Sequence, residues 1–232
     1  MPIDIARLNR IALFDGLAPA QLAQIAEHAR ERTYRAGSAI VHQDDPGETF
    51  YVILRGTVKI STTLPDGNEV FLAVLATGDT VGEMSLIDAT GRSADVITQE
   101  ETTLLSIDRS VFDQLAGSGP IFTRNIMRIL SRRLRLANVR IQAHCTLDVY
   151  GLVAFQILEF AELYGETLPN GDRLIPIRLT QSDMAQLVGA SRERVNQVMV
   201  SYRRKGLISV DPQFHITVHN LVDLRKRVEQ GG

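Results

Sequence analysis

"LTQSDMAQLVGASRERVNQVMVSYRRKGLISV", Leu179 to Val210, decides the architecture of the C-terminal half. Thr180 is a hydroxyl residue just ahead of a run that carries Met184, Ala185, Leu187 and Val188 at helical spacing, so it is placed to cap a helix. Gly189 closes that helix with a residue that accepts positive φ, and Ser191 caps the next. Two short helices joined by a tight glycine turn make a helix-turn-helix, whose second member can enter a major groove N-terminus first. In that second helix Val195, Val198 and Met199 face inward. Arg192, Glu193, Asn196 and Gln197 are left outward.

The outward residues carry the chemistry of base reading. An arginine fork pairs with guanine O6 and N7, a glutamate accepts from cytosine N4 and a glutamine pairs with adenine, each bidentate pair giving about 1–3 kcal/mol of discrimination. Arg203, Arg204 and Lys205 follow as phosphate contacts, which position without specifying; the two caps, Thr180 and Ser191, complete the set of DNA-facing candidates. Formal net charge is -2, so no overall field draws the chain to nucleic acid. The cations are concentrated instead: of 10 Lys and Arg from residue 146 onward, five fall between Arg192 and Lys205, where Glu193 is the one acid. The alternative is a solvated charged helix in some other helical domain, which would not require the caps, the turn and the following "GLISV" strand to agree.

Working toward the N-terminus, residues 13–32 place Leu22, Ile25, Ala26 and Ala29 on one face of a short helix with Pro19 near its start. From Thr33 to Ile107 the period changes to two. "ETFYVILRGTVKIST" and "NEVFLAVLATGDTVGE" read as strands punctuated by Gly37, Gly47, Gly56, Gly67 and Gly78, and "PDGN" at 65–68 is a hairpin turn. Short strands divided at roughly ten-residue spacing predict a sandwich or roll.

Inside that β-rich segment stands "GEMSLIDATGRSAD", Gly82 to Asp95. A ligand with one phosphate and a ribose hydroxyl needs a cation, backbone N–H donors and an acceptor. Gly82 lets the backbone approach, Glu83, Met84, Ser85 and Leu86 offer N–H groups at a helix start, Arg92 supplies the fork for phosphate, and Glu83 accepts from a 2′-hydroxyl. Ser93 adds a hydroxyl donor. The competing reading is a structural Glu83–Arg92 salt bridge that closes a loop.

From Ile121 to His144 the pattern is helical, and Met127, Leu130, Leu134, Ala137, Ile141 and His144 follow alternating steps of three and four. Such a heptad seam predicts a parallel coiled-coil dimer; an amphipathic helix lying on its own domain is the alternative. Asp148 to Tyr164 is again helical, "GETLPNGDRL" is a polar loop, and the helix-turn-helix, a short hairpin and a terminal helix follow.

These segments together resemble the CRP/FNR transcription regulators. "LFDGL", "RAGSAIVHQDDPGETFYVILRGTVKI", the Gly-Glu and Arg-Ser-Ala cassette, the long helix, Ser191-Arg192-Glu193 and a β wing in "GLISVDPQFHITV" occur in that family's order. The resemblance implies an α+β chain: a cyclic nucleotide-binding β-roll (a jelly-roll-like double-stranded β-helix) over 1–118, a dimerisation helix and hinge over 119–147, and a winged helix-turn-helix over 148–232. It also implies a homodimer on an inverted repeat related to TGTGA, an RNA polymerase partner, and cyclic AMP as effector with cyclic GMP kept open. Ala137 and Asn138 stand where family members meet the purine; Ala137 lacks a hydroxyl, whereas an Asn138 amide both donates and accepts. Gln197 departs from a family arginine, which leaves its base preference open. A regulator active without ligand, with Glu83 and Arg92 as a structural pair, is the alternative; a regulatory subunit of an enzyme or channel is disfavoured because one barrel is followed by a DNA reader.

Several classes are expected to be absent. No run of 18 or more apolar residues and no secretory pattern appears, so no membrane partner and a cytoplasmic location are expected. Cys145 is the single cysteine, which excludes a four-cysteine cluster within one chain. His144 beside Cys145 makes a poor metal site, and His28, His42, His215 and His219 show no ligand spacing, so no metal is expected. No Ser-His-Asp arrangement, paired catalytic acids or Walker loop is discernible in the sequence, so no enzyme is expected.

Overall fold

The computed structural model describes residues 3–67 and 69–229. By packing, the chain forms two compact units, one up to Arg135 and one from Leu136.

The first unit opens with α1 (Ile5–Leu8), a short 3-10 turn at Ala12–Phe14 and α2 (Pro19–His28). Pro19 occupies the first turn, where a missing N–H costs nothing. The predicted helix stops earlier than residue 32, because β1 (Arg30–Tyr34) pairs antiparallel with Thr102–Ser106 and strand pairing overrides local helix preference. Then follow β2 (Ala39–Val41), β3 (Thr49–Arg55), β4 (Thr57–Thr63), β5 (Glu69–Ala76), β6 (Thr80–Val81), α3 (Glu83–Ile87), β7 (Asp95–Thr98) and β8 (Thr102–Asp108). They make two four-stranded antiparallel sheets, in the orders β1-β8-β3-β6 and β2-β7-β4-β5.

The glycine between β3 and β4 is needed on two counts. Gly56 has φ +90, and a Cβ there would lie 2.8 Å from the Glu101 carbonyl, so a side chain would block the step from one sheet to the other. The predicted β4–β5 hairpin is present, with Gly67 at φ +84 in its turn; Asn68 lies outside the described residues. α4 (Arg109–Gly117) and the start of α5 (Pro120–Thr146) close one end of the roll. Phe50, Phe112 and Phe122 stack edge-to-face there, with centroids 5.6 and 5.4 Å apart, inside a cluster that also buries Leu8, Phe14, Ile25, Leu105 and Ile107.

The second unit begins with the C-terminal part of α5 and continues as α6 (Val149–Leu163), β9 (Glu166–Thr167), β10 (Arg173–Ile175), α7 (Gln181–Val188), α8 (Arg192–Arg204), β11 (Ile208–Val210), β12 (Ile216–Val218) and α9 (Leu221–Glu229). Asp148 caps α6, its Oδ1 accepting from Gly151 N at 2.8 Å. The stretch read from sequence as a polar loop is a hairpin: β9 and β10 pair with each other, and β10 pairs with β12 in the sheet β11-β12-β10-β9. Polar composition hid it, because pairing to distant β12 is not a local signal.

Candidate functional site

In the first unit Gly82, Glu83, Met84, Ser85, Arg92 and Ser93 line one cleft of about 110 Å³, with Val41, Ile60, Leu75, Val81, Ala94 and Val96 as apolar walls and Arg133 at its edge. Gly82 is left-handed (φ +83), and a Cβ on it would run into Arg92 Nη1. The absence of that Cβ lets the guanidinium turn inward. Arg92 is 7% exposed; Nη1 donates to Gly82 O and Ser85 Oγ, both at 3.0 Å, and Nη2 donates to Thr49 O at 2.6 Å. The Nε proton and one on Nη2 have no acceptor among the described residues. Burial holds Arg92 below its ordinary value, while Tyr51, Glu83, Asp45 and Glu48 pull the other way. Arg92 is thus a buried cation with donors to spare and no ion pair of its own among the described residues, an arrangement chemically suited to accept an anion.

Glu83 does not close a salt bridge to Arg92, so the structural pair drawn from sequence is corrected. Its Oε1 accepts from Arg133 Nη1 at 2.6 Å, and Arg133 Nη2 also donates to Thr80 O at 2.5 Å. The other carboxylate oxygen, Glu83 Oε2, is buried with no hydrogen-bond partner among the described residues. Such an acceptor costs about 1–3 kcal/mol until a donor reaches it. From below, Arg109 holds the cassette turn through Gly47 O (2.8 Å), Ser85 O and Leu86 O (both 3.2 Å) and pairs with Glu48 at 2.8 Å. Neither Arg133 nor Arg109 was singled out from sequence; for Arg133 the signal was its place one residue before the seam position Leu134.

Met84 is half-exposed, and Ser93 Oγ lies 3.9 Å from its Sδ. Ala137 and Asn138 are exposed, belong to the second unit, and are not among the residues lining the cleft. Of the seam residues along α5, Met127, Leu134 and Ile141 are 59, 64 and 62% exposed, whereas Leu130 is partly buried and packs against the core of the roll.

In the second unit the helix-turn-helix is built as its caps require. Thr180 Oγ1 accepts from Asp183 N at 3.1 Å while Asp183 Oδ2 accepts from Thr180 N at 2.9 Å, a reciprocal capping box. Gly189 takes φ +64, and Ser191 Oγ accepts from Arg194 N at 3.2 Å. α8 buries Val195, Val198, Met199 and Tyr202 and exposes Arg192, Glu193, Asn196, Gln197, Arg203 and Arg204, with Lys205 exposed at its C-cap. Tyr202 Oη donates to Tyr150 O at 2.7 Å, pinning α8 to α6, and burial pushes its phenol well above the ordinary value. Arg192 and Glu193 have no side-chain partner among the described residues. Asn196 Oδ1 accepts from Gln181 Nε2 at 2.8 Å, so its amide is oriented by α7 with its donors outward. Arg194, left out of the sequence set, is also exposed, 3.4 Å from Gln197 Oε1.

Two further features of this unit bear on the expected absences. The fold assembles a Ser-His-Asp file that the sequence does not disclose: His219 Nε2 is 2.9 Å from Ser209 Oγ, and Nδ1 is 2.7 Å from Asp172 Oδ2. These residues sit on exposed sheet ends and tie β10, β11 and β12 together. A larger cavity of about 290 Å³ is bordered by Glu162, Arg173 and Arg225; Arg173 already donates to Ala161 O and Thr167 Oγ1. Among the described residues no helix is long and apolar enough to cross a membrane, and no group of three His, Cys, Asp or Glu is placed to hold a metal.

Comparison with known proteins carries both halves. Residues 31–118 match the cyclic nucleotide-binding domain and residues 153–227 the Crp-like helix-turn-helix domain. The two together define a DNA-binding transcription regulator with a nucleotide-binding roll. Over 204 residues, 88% of this chain and 91% of the relative, the sequence is 32% identical to a CRP-like cAMP-activated global transcriptional regulator of Mycobacterium tuberculosis. Over 201 residues, 86% and 89% of the two chains, it is 31% identical to the cyclic AMP receptor protein of Thermus thermophilus. The solved structure of FixK2 from Bradyrhizobium japonicum superposes with a TM-score of 0.76 at 20% identity, covering 85% of this chain and 96% of that one, a likeness of fold alone. The chain belongs to the CRP/FNR family of transcription regulators.

Proposed function

We propose that the protein is a cytoplasmic, homodimeric regulator whose affinity for an inverted-repeat, TGTGA-like operator is set by cyclic AMP held between Arg92 and Glu83, and which acts on RNA polymerase. The observation that carries the nucleotide assignment is the buried, unpartnered Glu83 Oε2 in the same cleft as an incompletely satisfied Arg92. A cyclic nucleotide supplies a phosphate for one and a 2′-hydroxyl for the other. The relatives named as cAMP-activated favour adenine over guanine. The exposed Met127, Leu134 and Ile141 favour self-pairing of α5, and a two-fold protein calls for a two-fold site.

On this reading residues 1–118 sense, 119–147 pair and hinge, and 148–232 read DNA. Arg133 is the side chain by which the cleft holds α5, and the same helix continues to Thr146. Ligand that binds one dimer arrangement better shifts the population toward it; moving the balance from 1:99 to 99:1 takes about 5.5 kcal/mol of differential binding. Ala137 and Asn138 are the candidates for the purine end across the dimer. Titration calorimetry with cyclic AMP and cyclic GMP, beside band shifts on randomised half-sites, tests the reading: heat with cyclic AMP and tighter operator binding in its presence are expected. Full operator binding with no heat from either nucleotide would select a ligand-independent regulator instead.

A further inference from the structure

The cavity of about 290 Å³ in the second unit is lined from α6, the β9–β10 hairpin and α9. Leu158, Ala161 and Glu162 come from one face of α6, at steps of three and four, and Leu221 and Arg225 are about one helical turn apart on α9. Arg173 enters from β10. Its guanidinium is held in place: Nε donates to Ala161 O at 2.9 Å and Nη1 to Thr167 Oγ1 at 2.7 Å, Thr167 being its cross-strand neighbour on β9. Gly165 makes room for this, since a Cβ there would run into Ala161 O and lie 2.6 Å from Arg173 Nε. The second proton on Nη1 and both on Nη2 have no acceptor among the described residues.

The other two charged groups of the cleft are unpaired. Glu162 and Arg225 are exposed, and neither side chain has a hydrogen bond or an ion pair among the described residues. Two arginines and one glutamate therefore line one cleft without pairing with each other. A guanidinium with spare donors takes a carboxylate through two parallel bonds. Glu162 disfavours a phosphate monoester, whose charge of about -1.5 to -2 it would repel; it calls for a cation on the same ligand. Leu158, Ala161 and Leu221 supply an apolar wall, and the volume lies at the lower edge of the range of about 300–1,000 Å³ usual for small-molecule sites, so the occupant is small.

We propose that this cleft binds a free amino acid with an apolar side chain: its carboxylate on Arg173 and Arg225, its ammonium at Glu162, and its side chain on Leu158, Ala161 and Leu221. One zwitterion answers both kinds of charge and the apolar wall together. None of the lining residues belongs to the cassette or to α8, so the site stands whether or not the roll takes a cyclic nucleotide.

The test uses full-length protein and three probes, L-leucine, leucinamide and N-acetyl-leucine, read by titration calorimetry on the wild type, Arg225→Gln and Glu162→Gln. Wild type is expected to bind L-leucine saturably, with a Kd of about 1 mM or below. Leucinamide, which lacks the carboxylate, and N-acetyl-leucine, which lacks the ammonium, should each bind at least about ten-fold more weakly, and Arg225→Gln should lose about ten-fold for L-leucine. Glu162→Gln should bind L-leucine and N-acetyl-leucine alike, a loss of preference that a merely structural glutamate would not produce. Both residues are exposed, so unfolding temperatures without ligand should match the wild type; should a variant prove less stable, the analogue series on the wild type decides by itself. L-leucine that fails to bind the wild type, or binds no better than its two analogues or than inorganic phosphate, overturns the proposal. So does L-leucine binding that both variants keep in full.

Discussion

Glu83→Ala, compared across ligands with and without a 2′-hydroxyl, isolates one proposed hydrogen bond. In the structure Glu83 Oε1 is taken by Arg133 at 2.6 Å, and Oε2 is buried without a donor. A ligand hydroxyl that reaches Oε2 forms a charge-assisted bond and at the same time relieves an unsatisfied acceptor. Hydrogen bonds to charged groups contribute about 1.5–3 kcal/mol, which corresponds to roughly ten- to hundred-fold in affinity. Calorimetry on a two-by-two set measures it: wild type and Glu83→Ala, each with cyclic AMP and with its 2′-deoxy analogue. Wild type should prefer cyclic AMP by that factor, and Glu83→Ala should bind both nucleotides at the weaker level with no preference left. Arg133 keeps its bond to Thr80 O at 2.5 Å, so α5 should stay docked and the unfolding temperature should barely move. Equal wild-type affinity for the two nucleotides, or a preference that survives in Glu83→Ala, refutes the assignment of Oε2 to the ribose.

Elsewhere the structure makes further commitments. Arg140→Met strands Glu159, whose side chain is 6% exposed and keeps Gln156 as a neutral partner; urea unfolding should show a loss of about 3–5 kcal/mol, and Arg140→Met/Glu159→Leu should recover most of it. Gly189→Ala forces a Cβ into φ +64 and should cost about 1–2 kcal/mol, read as a lower unfolding temperature that Gly189→Asn partly restores. The hydrogen bond from His219 holds the Asp172 carboxyl below its ordinary value. A carboxyl with a depressed folded value contributes stability that is complete above the unfolded value near 3.8 and is lost as pH falls through the folded one. His219→Gln should therefore narrow the drop in urea midpoint between pH 5 and about 3 relative to wild type, and an unchanged drop would remove Asp172 from the acid response. Arg192→Ala should lose discrimination at one guanine by about 1–3 kcal/mol, whereas Lys205→Gln should weaken all sequences alike and flatten the salt slope by about one unit; identical behaviour of the two refutes the groove assignment.

What could be read in the sequence is what local chemistry fixes. Thr180, Gly189 and Ser191 declare their helix ends because each cap bonds to the backbone within about one turn. The seam is likewise periodic within one element, and Leu134 and Ile141 are exposed, whereas Leu130 packs against the roll. What could not be read depends on partners far along the chain. β1 begins at Arg30 because it pairs with residues near 104, and β10 forms in a polar stretch because Ile216–Val218 pairs with it. Ser209, His219 and Asp172 come together across strand ends, with no spacing to announce them.

The cassette shows the same division within a few residues. From the sequence, Glu83 and Arg92 face each other as a salt bridge or serve two ends of one ligand. The structure separates them by giving each a different anchor. Arg92 turns into Thr49 O of β3 and Gly82 O, which a Cβ on residue 82 would prevent, so Arg92 is tied to the roll. Glu83 is tied to α5 through Arg133. A ligand that spans both groups must therefore bond to the roll at one end and compete for, or reinforce, the grip on α5 at the other. On the proposed reading that division would give the ligand a differential contact with α5, as a population shift requires, whereas a direct Glu83–Arg92 pair would hold both ends on the roll.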